Sequence, residues 1–78
     1  MANISAMLLI GTETGTERTV YKELSEHNEV EFLHELFGSW DIIAKVTTED
    51  VKRMDEFISD TVRNITGVNS SATLIIAR

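Results

Sequence analysis

The sequence predicts an α+β fold in which strands and helices follow one another in the order β-α-β-β-α-β. Three observations carry that prediction. Two β-prone runs, residues 30–36 and 42–46, flank a short segment containing Gly38 and Asp41, which reads as a β-hairpin. Val51, Met54, Phe57, Ile58, Val62 and Ile65 recur at three- and four-residue spacing, as on a helix with one buried stripe. Residues 4–10 and 68–77 are apolar or alternating runs of strand length near the two ends of the chain.

Taken in order, residues 4–10 are apolar on both alternating sets, Ala6, Leu8, Ile10 and Met7, Leu9, the pattern of a strand buried on both faces. Thr12-Glu13-Thr14-Gly15 is a polar turn, and Thr14 and Glu17 have the spacing of a capping box that opens a helix. This helix runs to about Glu26 with Val20, Tyr21 and Leu24 on one stripe, and Asn28 suits a left-handed cap behind it. In the hairpin, Gly38 can take a positive φ without a Cβ clash, and Asp41 can turn its carboxylate to backbone N–H groups. Trp40, the single tryptophan, stands at the tip, where turn chemistry favours small polar residues. Thr47 and Thr48 are candidate N-caps for the second helix, Glu49 and Asp50 suit its positive end, and Gly67 is its expected stop. The last strand places Ser70, Ala72 and Leu74 on one face and Ser71, Thr73 and Ile75 on the other.

This order is the ferredoxin-like, split-βαβ arrangement. Right-handed crossovers put both helices on one face of a four-stranded antiparallel sheet. The other face is then bare, with Met7, Leu9, Ile75 and either Leu33 or Phe32 expected on it. At roughly 25 cal/mol per Å² of apolar area, covering that face contributes several kcal/mol. The expected unit is therefore at least a dimer, packed sheet to sheet.

Composition sets further bounds. The 78 residues are expected to form one domain, 1–78. A chain of this size buries only about 60% of its unfolded surface. With no cysteine, neither disulfides nor a thiolate metal site can compensate, and association is the remaining common remedy. The net charge of −6 and the scattering of the seven Lys and Arg argue against direct nucleic-acid binding. No run approaches the roughly 20 apolar residues of a membrane span, and the start carries no basic leader with a cleavage site. A cytoplasmic protein that does not engage a membrane is the expectation. His27 and His34 make no metal spacing, so no metal or cofactor is expected, and His34 reads as a half-buried structural residue. Glu31 and Glu35 lie four apart along a strand and do not make a general acid and base pair. Asp55, Glu56, Asp60, Lys52 and Arg63 read as the solvated face of the second helix.

The order and spacing of several short pieces resemble the ligand-binding domain of the leucine-responsive regulator/AsnC (Lrp/AsnC) family, also called the RAM domain. The pieces are Leu9-Ile10 to Thr14-Gly15, Val20-Tyr21 with Leu24, and Val30. They continue with Gly38-x-x-Asp41 followed by Ile42-Ile43-Ala44-Lys45-Val46, then Ile65-x-Gly67-Val68 and Ser71-x-Thr73. The resemblance covers about residues 5–78. It implies sheet-to-sheet dimers that assemble further, commonly into octameric rings, with amino-acid effectors held between neighbouring dimers. Members usually carry an N-terminal helix-turn-helix, and the chain resembles the stand-alone form without it. The resemblance therefore implies full-length relatives as regulatory partners. Carried onto this sequence, the Gly38-x-x-Asp41 turn would shape the pocket, with Asp41 placed to meet an α-ammonium and Ser39 and Trp40 adjoining it. Ser71 and Thr73 fall where the family's last strand supplies polar contacts.

Each of these residues has a plainer role open to it. Asp41 can simply cap its hairpin, Trp40 can anchor a subunit contact, and Ser71 and Thr73 can face neighbours across the sheet. A purely structural oligomerisation module is the alternative to a sensor. The enzyme rival is an acylphosphatase, suggested by the loop from Gly11 to Arg18 between a strand and a helix, where backbone N–H groups could hold an anion. Glu13 and Glu17 put negative charge where phosphate would sit, Arg18 is one residue early, and Gly15 is not followed by the Lys of a Walker loop. A cofactor-free monooxygenase would rest on His34 and Trp40 alone. The reading is a non-enzymatic, amino-acid-responsive module.

Overall fold

β1 (Ile4–Thr12) is the spine of the sheet: every second side chain, Ala6, Leu8 and Ile10, is fully buried, while Met7 and Leu9 between them are half-buried. The expectation of burial on both faces is thus met on one face only within a single chain. In the computed structural model, which describes residues 3–77, the chain continues through α1 (Glu17–Ser25), β2 (Val30–Glu35), β3 (Ile42–Thr48), α2 (Val51–Glu56) and β4 (Val68–Ile75). Between α2 and β4 the helix runs on as a π-helical stretch, Phe57–Val62. Met1, Ala2 and Arg78 lie outside the described residues. The strand order is β2-β3-β1-β4, antiparallel throughout. This is the ferredoxin-like α+β architecture that the element order predicts.

One core lies between the sheet and the helices. Val20 and Leu24 of α1, Met54 of α2, and Phe57, Ile58 and Val62 of the π-helical stretch pack on Ala6, Leu8, Ile10, Leu33, Ile42, Ala44 and Val46. Tyr21 is half-buried and donates its hydroxyl to the Leu33 carbonyl at 3.3 Å. Val51, placed on the buried stripe by its spacing, is instead exposed, because the stripe starts one turn later at Met54. The Arg63 N–H reaches the Ile58 carbonyl, five residues back, at 3.0 Å. That longer turn keeps Val62 and Ile65 over the core with Phe57 and Ile58.

The helix ends correct three sequence expectations. The N-cap of α1 is Thr16, not Thr14, and Glu17 returns its carboxylate to the Gly15 N–H at 3.2 Å. The N-cap of α2 is Asp50, whose carboxylate accepts from the Arg53 N–H at 2.8 Å. Thr47 and Thr48 are the last residues of β3, and the Thr48 hydroxyl donates to the Asp50 carbonyl at 2.8 Å. Among the described residues only glycines have positive φ, so Asn28 does not form a left-handed cap. Gly67 does stop the second helix as expected, at φ 104°, with the Thr16 side chain close to where a Cβ would stand.

The sheet's second face carries Met7 and Leu9 of β1, Ile43 of β3, Phe32 of β2, and Ala72 and Leu74 of β4. Leu74, opposite Met7, therefore takes the place expected for Ile75, which pairs with Ala6 on the helix side. Phe32, 40% exposed, is on the open face, and Leu33 is buried in the core. Among the described residues no element of the chain covers this face. Towards one end it turns polar: the Ser5 and Thr47 hydroxyls are 2.8 Å apart, Thr47 also bonds Glu31, and Lys45 lies 3.8 Å from that same carboxylate. His34 is exposed beside Phe32, with ring centroids 5.4 Å apart, and is not the half-buried residue expected.

Candidate functional site

The hairpin tip is built by closure of β2 on β3. The Leu36 N–H donates to the Asp41 carbonyl at 2.8 Å, and the intervening turn passes through Gly38 at φ 131°. Nothing lies within 4 Å of where a Gly38 Cβ would stand, so glycine is needed there for its conformation and not for space. Gly38 and Ser39 are exposed and Trp40 is half-buried. Phe37 is fully exposed at 108%, a large apolar ring in water at the tip.

Asp41 is tied to β1. Its N–H donates to the Ile10 carbonyl at 3.0 Å. Its Oδ2 accepts from the Thr12 N–H at 2.8 Å and from the Thr12 hydroxyl at 3.3 Å. The carboxylate thus caps the end of the central strand and not its own hairpin. Thr12 is buried and sits opposite Val68 of β4, so the hairpin tip and the start of β4 flank the same end of β1.

Ser71 and Thr73 are half-buried on the helix side of β4, opposite Ile10 and Leu8. Ile10 has Ile42 as its partner on the other side, so Ser71 stands two strand spacings from the residue after Asp41. Strands lie about 4.8 Å apart, which makes that separation about 10 Å. The two halves of the predicted site share one end of the sheet, yet one chain does not fold them into a single cavity. Two grooves are prominent. The larger, about 520 Å³, lies at the opposite end, where Glu29, Glu49, Glu56 and Asp60 face Arg53 and Phe57. The smaller, about 370 Å³, is lined by Arg63, Val68, Asn69, Ser70 and Ser71. Only Ser71 of the predicted residues lines either groove. Arg63 and Asn69 come together there because the chain turns at Gly67 into β4, which brings the end of the second helix beside the start of the strand, a proximity that no local pattern announces.

The loop that suggested phosphate chemistry is occupied by its own side chains. Glu17 takes the Gly15 N–H, and the Thr16 N–H and hydroxyl both donate to the Glu13 carbonyl, at 3.0 and 2.7 Å. No group of three or more metal-ligating side chains is found among the described residues, and no described helix is long and apolar enough to cross a membrane.

A four-stranded antiparallel sheet with helices on one face and the other face uncovered places the chain among the ferredoxin-like α+β domains. The family model described as the Lrp/AsnC ligand binding domain matches residues 5–78, and the chain belongs to that family. An uncharacterized HTH-type transcriptional regulator of Pyrococcus furiosus is 33% identical over 73 residues, covering 94% of this chain and 49% of the relative. The chain thus spans about half the length of the curated relatives it matches. The crystal structure of FFRP-DM1 superposes with a TM-score of 0.92 at 32% identity, covering 94% of this chain and 97% of that one. A transcriptional regulator of Neisseria meningitidis, solved as a complex with L-Met, shares the fold with a TM-score of 0.87 at 17% identity, over 96% of this chain and 50% of that one.

Proposed function

We propose that residues 1–78 form a single amino-acid effector-binding and oligomerisation domain. In this reading it modulates transcriptional regulation through assembly with partners, without contacting DNA or catalysing a reaction itself. The observation that carries the reading is the uncovered apolar sheet face, Met7, Leu9, Phe32, Ile43 and Leu74, in a chain of the Lrp/AsnC ligand-binding family. A face of that kind is stabilised by a second copy laid against it. Sheet-to-sheet dimers would leave the hairpin tips outward, with Phe37 exposed for contact between dimers in a ring such as an octamer. The effector would lie there, among Gly38, Ser39, Trp40 and Asp41 of one tip and Ser71 and Thr73 of β4. Asp41 Oδ2 is engaged by Thr12, which leaves Oδ1 for an ammonium group. Occupancy then favours whichever assembly buries the ligand.

The mutual occupation of the Glu13 to Glu17 loop supports a binding role over hydrolysis, because no backbone N–H of Gly15 is left for a phosphoryl oxygen. The test is thermal unfolding with each standard L-amino acid at millimolar concentration, L-methionine included, with native mass followed in parallel. A ligand at 100 times its Kd adds about 2.7 kcal/mol. A rise confined to a few related amino acids together with a change in mass is expected. No rise with any of them, from a stable oligomer, refutes the sensor and leaves a structural module.

A further inference from the structure

A single cation interrupts the uncovered sheet face. Lys45 is the only Lys or Arg in the four described strands. It lies on β3, an inner strand, between Phe32 of β2 and Met7 of β1, and Leu74 of β4 follows Met7 in the same row. Ile43 is the next residue on its side of β3. Lys45 therefore stands among the apolar residues of the face and not on its rim. Its side chain is 33% exposed in the single chain. The ammonium carries three donors. Among the described residues its partner is the Glu31 carboxylate at 3.8 Å, an ion pair too long for a hydrogen bond.

The acceptors of the same face are unbalanced in the opposite sense. Thr47 donates its hydroxyl to Glu31 Oε2, so the Ser5 hydroxyl, 2.8 Å from Thr47 Oγ1, supplies the hydrogen between those two. This relay ends on the oxygen that also faces Lys45, which leaves Glu31 Oε1 and the Ser5 oxygen without a donor among the described residues. The face thus holds surplus donors at Lys45 and surplus acceptors at Glu31 and Ser5. A two-fold axis lets each copy offer one set to the other copy's opposite set. A second copy of this chain satisfies both, whereas an apolar sheet laid on the face buries the ammonium with its donors unmet.

We propose that Lys45, Glu31 and Ser5 are the partner-selecting residues of the uncovered face, the ammonium of each copy being completed by Glu31 and Ser5 of a second copy of this chain. This rests on the sheet-to-sheet pairing above and adds which chains can take part in it. A relative joins a mixed assembly only when its own sheet carries a cation and a carboxylate at the matching positions.

The experiment sets the protein against a charge-swapped variant, Glu31→Lys with Lys45→Glu, which keeps the net charge and the mass and stays complementary to itself. Sedimentation on dilution gives the dissociation constant of each dimer. Exchange between the two proteins, one of them isotopically labelled, gives the share of mixed dimers by native mass. The swapped variant should pair with itself within about tenfold of the original. Mixed dimers set ammonium against ammonium and carboxylate against carboxylate, so they should fall well below their statistical share. Lys45→Gln or Glu31→Gln alone should weaken pairing by about tenfold or more, because each leaves one covered charge without its partner. Circular dichroism checks the fold of every variant, and the two single variants decide the matter if the swapped one does not fold. Mixed dimers at their statistical share, or single variants that pair as tightly as the original, overturn this inference and leave the interface standing. A folded swapped variant that stays monomeric overturns it as well. Leu74→Glu separates the two readings: if it leaves the mass unchanged, the open face is not the interface, and partner selection falls with it.

Discussion

Asp41→Ala should cost this protein much of its stability, even though Asp41 sits in a surface turn. The side chain is half-buried and its Oδ2 holds two groups of Thr12, the N–H at 2.8 Å and the hydroxyl at 3.3 Å. Thr12 is buried at 8% exposure, so its N–H finds no ready water once the carboxylate is gone. Hydrogen bonds to charged groups contribute about 1.5–3 kcal/mol, and a buried donor left unmade sits at the upper end. The longer hydroxyl contact adds little, since the hydroxyl can rotate to another partner. The expected loss is about 2–3 kcal/mol. For a domain of this size each kcal/mol moves the melting midpoint by about 4–8 °C, so the shift is about 10–20 °C. Asp41→Asn keeps an acceptor oxygen and should lose only about 1 kcal/mol. The assay is calorimetric unfolding at fixed protein concentration, because an oligomer's midpoint depends on it. A midpoint for Asp41→Ala within about 3 °C of the original would show that the Thr12 contacts carry no weight, contrary to the range for such bonds. The same result fixes how the site must be probed: a weakened effector response in Asp41→Ala mixes stability with binding, and Asp41→Asn is the informative variant.

Four further outcomes follow from named residues. Gly67→Ala should lower stability by about 3 kcal/mol in urea unfolding, because φ is 104° and a new Cβ would lie 2.6 Å from the Thr16 hydroxyl oxygen. Gly38→Ala, with φ 131° but open space around it, should lose only the conformational part, about 1–2 kcal/mol, so an equal loss at both positions refutes the steric argument. Asp50→Ala removes the cap on the Arg53 N–H and should cost about 1 kcal/mol, with Asp50→Asn close to the original in the same assay. Leu74→Glu places a charge on the uncovered sheet face at a residue 57% exposed in the single chain, so sedimentation should show dissociation with little change in helix content. An unchanged mass would mean that this face is not the dimer interface.

The element order was legible because it is written in hydrophobic period, and period survives without tertiary context. The stripe from Met54 to Ile65 marks the second helix, and the alternation from Ser70 to Ile75 marks the last strand. The caps were less legible because the hydroxyls and carboxylates near each helix start compete for the same role. Thr47 and Thr48 have cap chemistry, yet pairing with Ser5 and Ile4 holds them in β3 and passes the cap to Asp50. Alternation alone leaves the open face between Phe32 and Leu33 on β2 and reads it one residue out on β4. On β2 the register shifts between Val30 and Phe32, which brings Phe32 opposite Lys45 on the open side. On β4 only the pairing of Met7 with Leu74 decides which alternating set meets the helices. Of the site, the turn at Gly38 and the position of Asp41 followed from local chemistry, but the partner of the Asp41 carboxylate did not. Thr12 is 29 residues away in sequence, and nothing local announces it.

β1 ties the proposed site to the proposed interface. Ile10 pairs with Ile42 on one side and Ser71 on the other, so this one residue separates the strand that follows the hairpin tip from the strand that carries Ser71 and Thr73. Leu9, its neighbour, turns the opposite way and joins Ile43 and Ala72 on the uncovered face. Asp41 closes the end of the same strand through Thr12. A shift of the tip relative to β4 therefore cannot leave β1 unmoved, and a shift of β1 changes the face it presents. That is the physical requirement for linkage between a ligand and an assembly: a shared rigid element whose two sides are read by different partners. It also separates the variants by what they can reveal. Ser39, exposed and without a side-chain hydrogen bond among the described residues, can change ligand contact without moving β1, whereas Asp41 and Thr12 cannot. Coupling that persists in a Ser39 variant and vanishes in a Thr12 variant would locate the connection in the strand and not in the pocket.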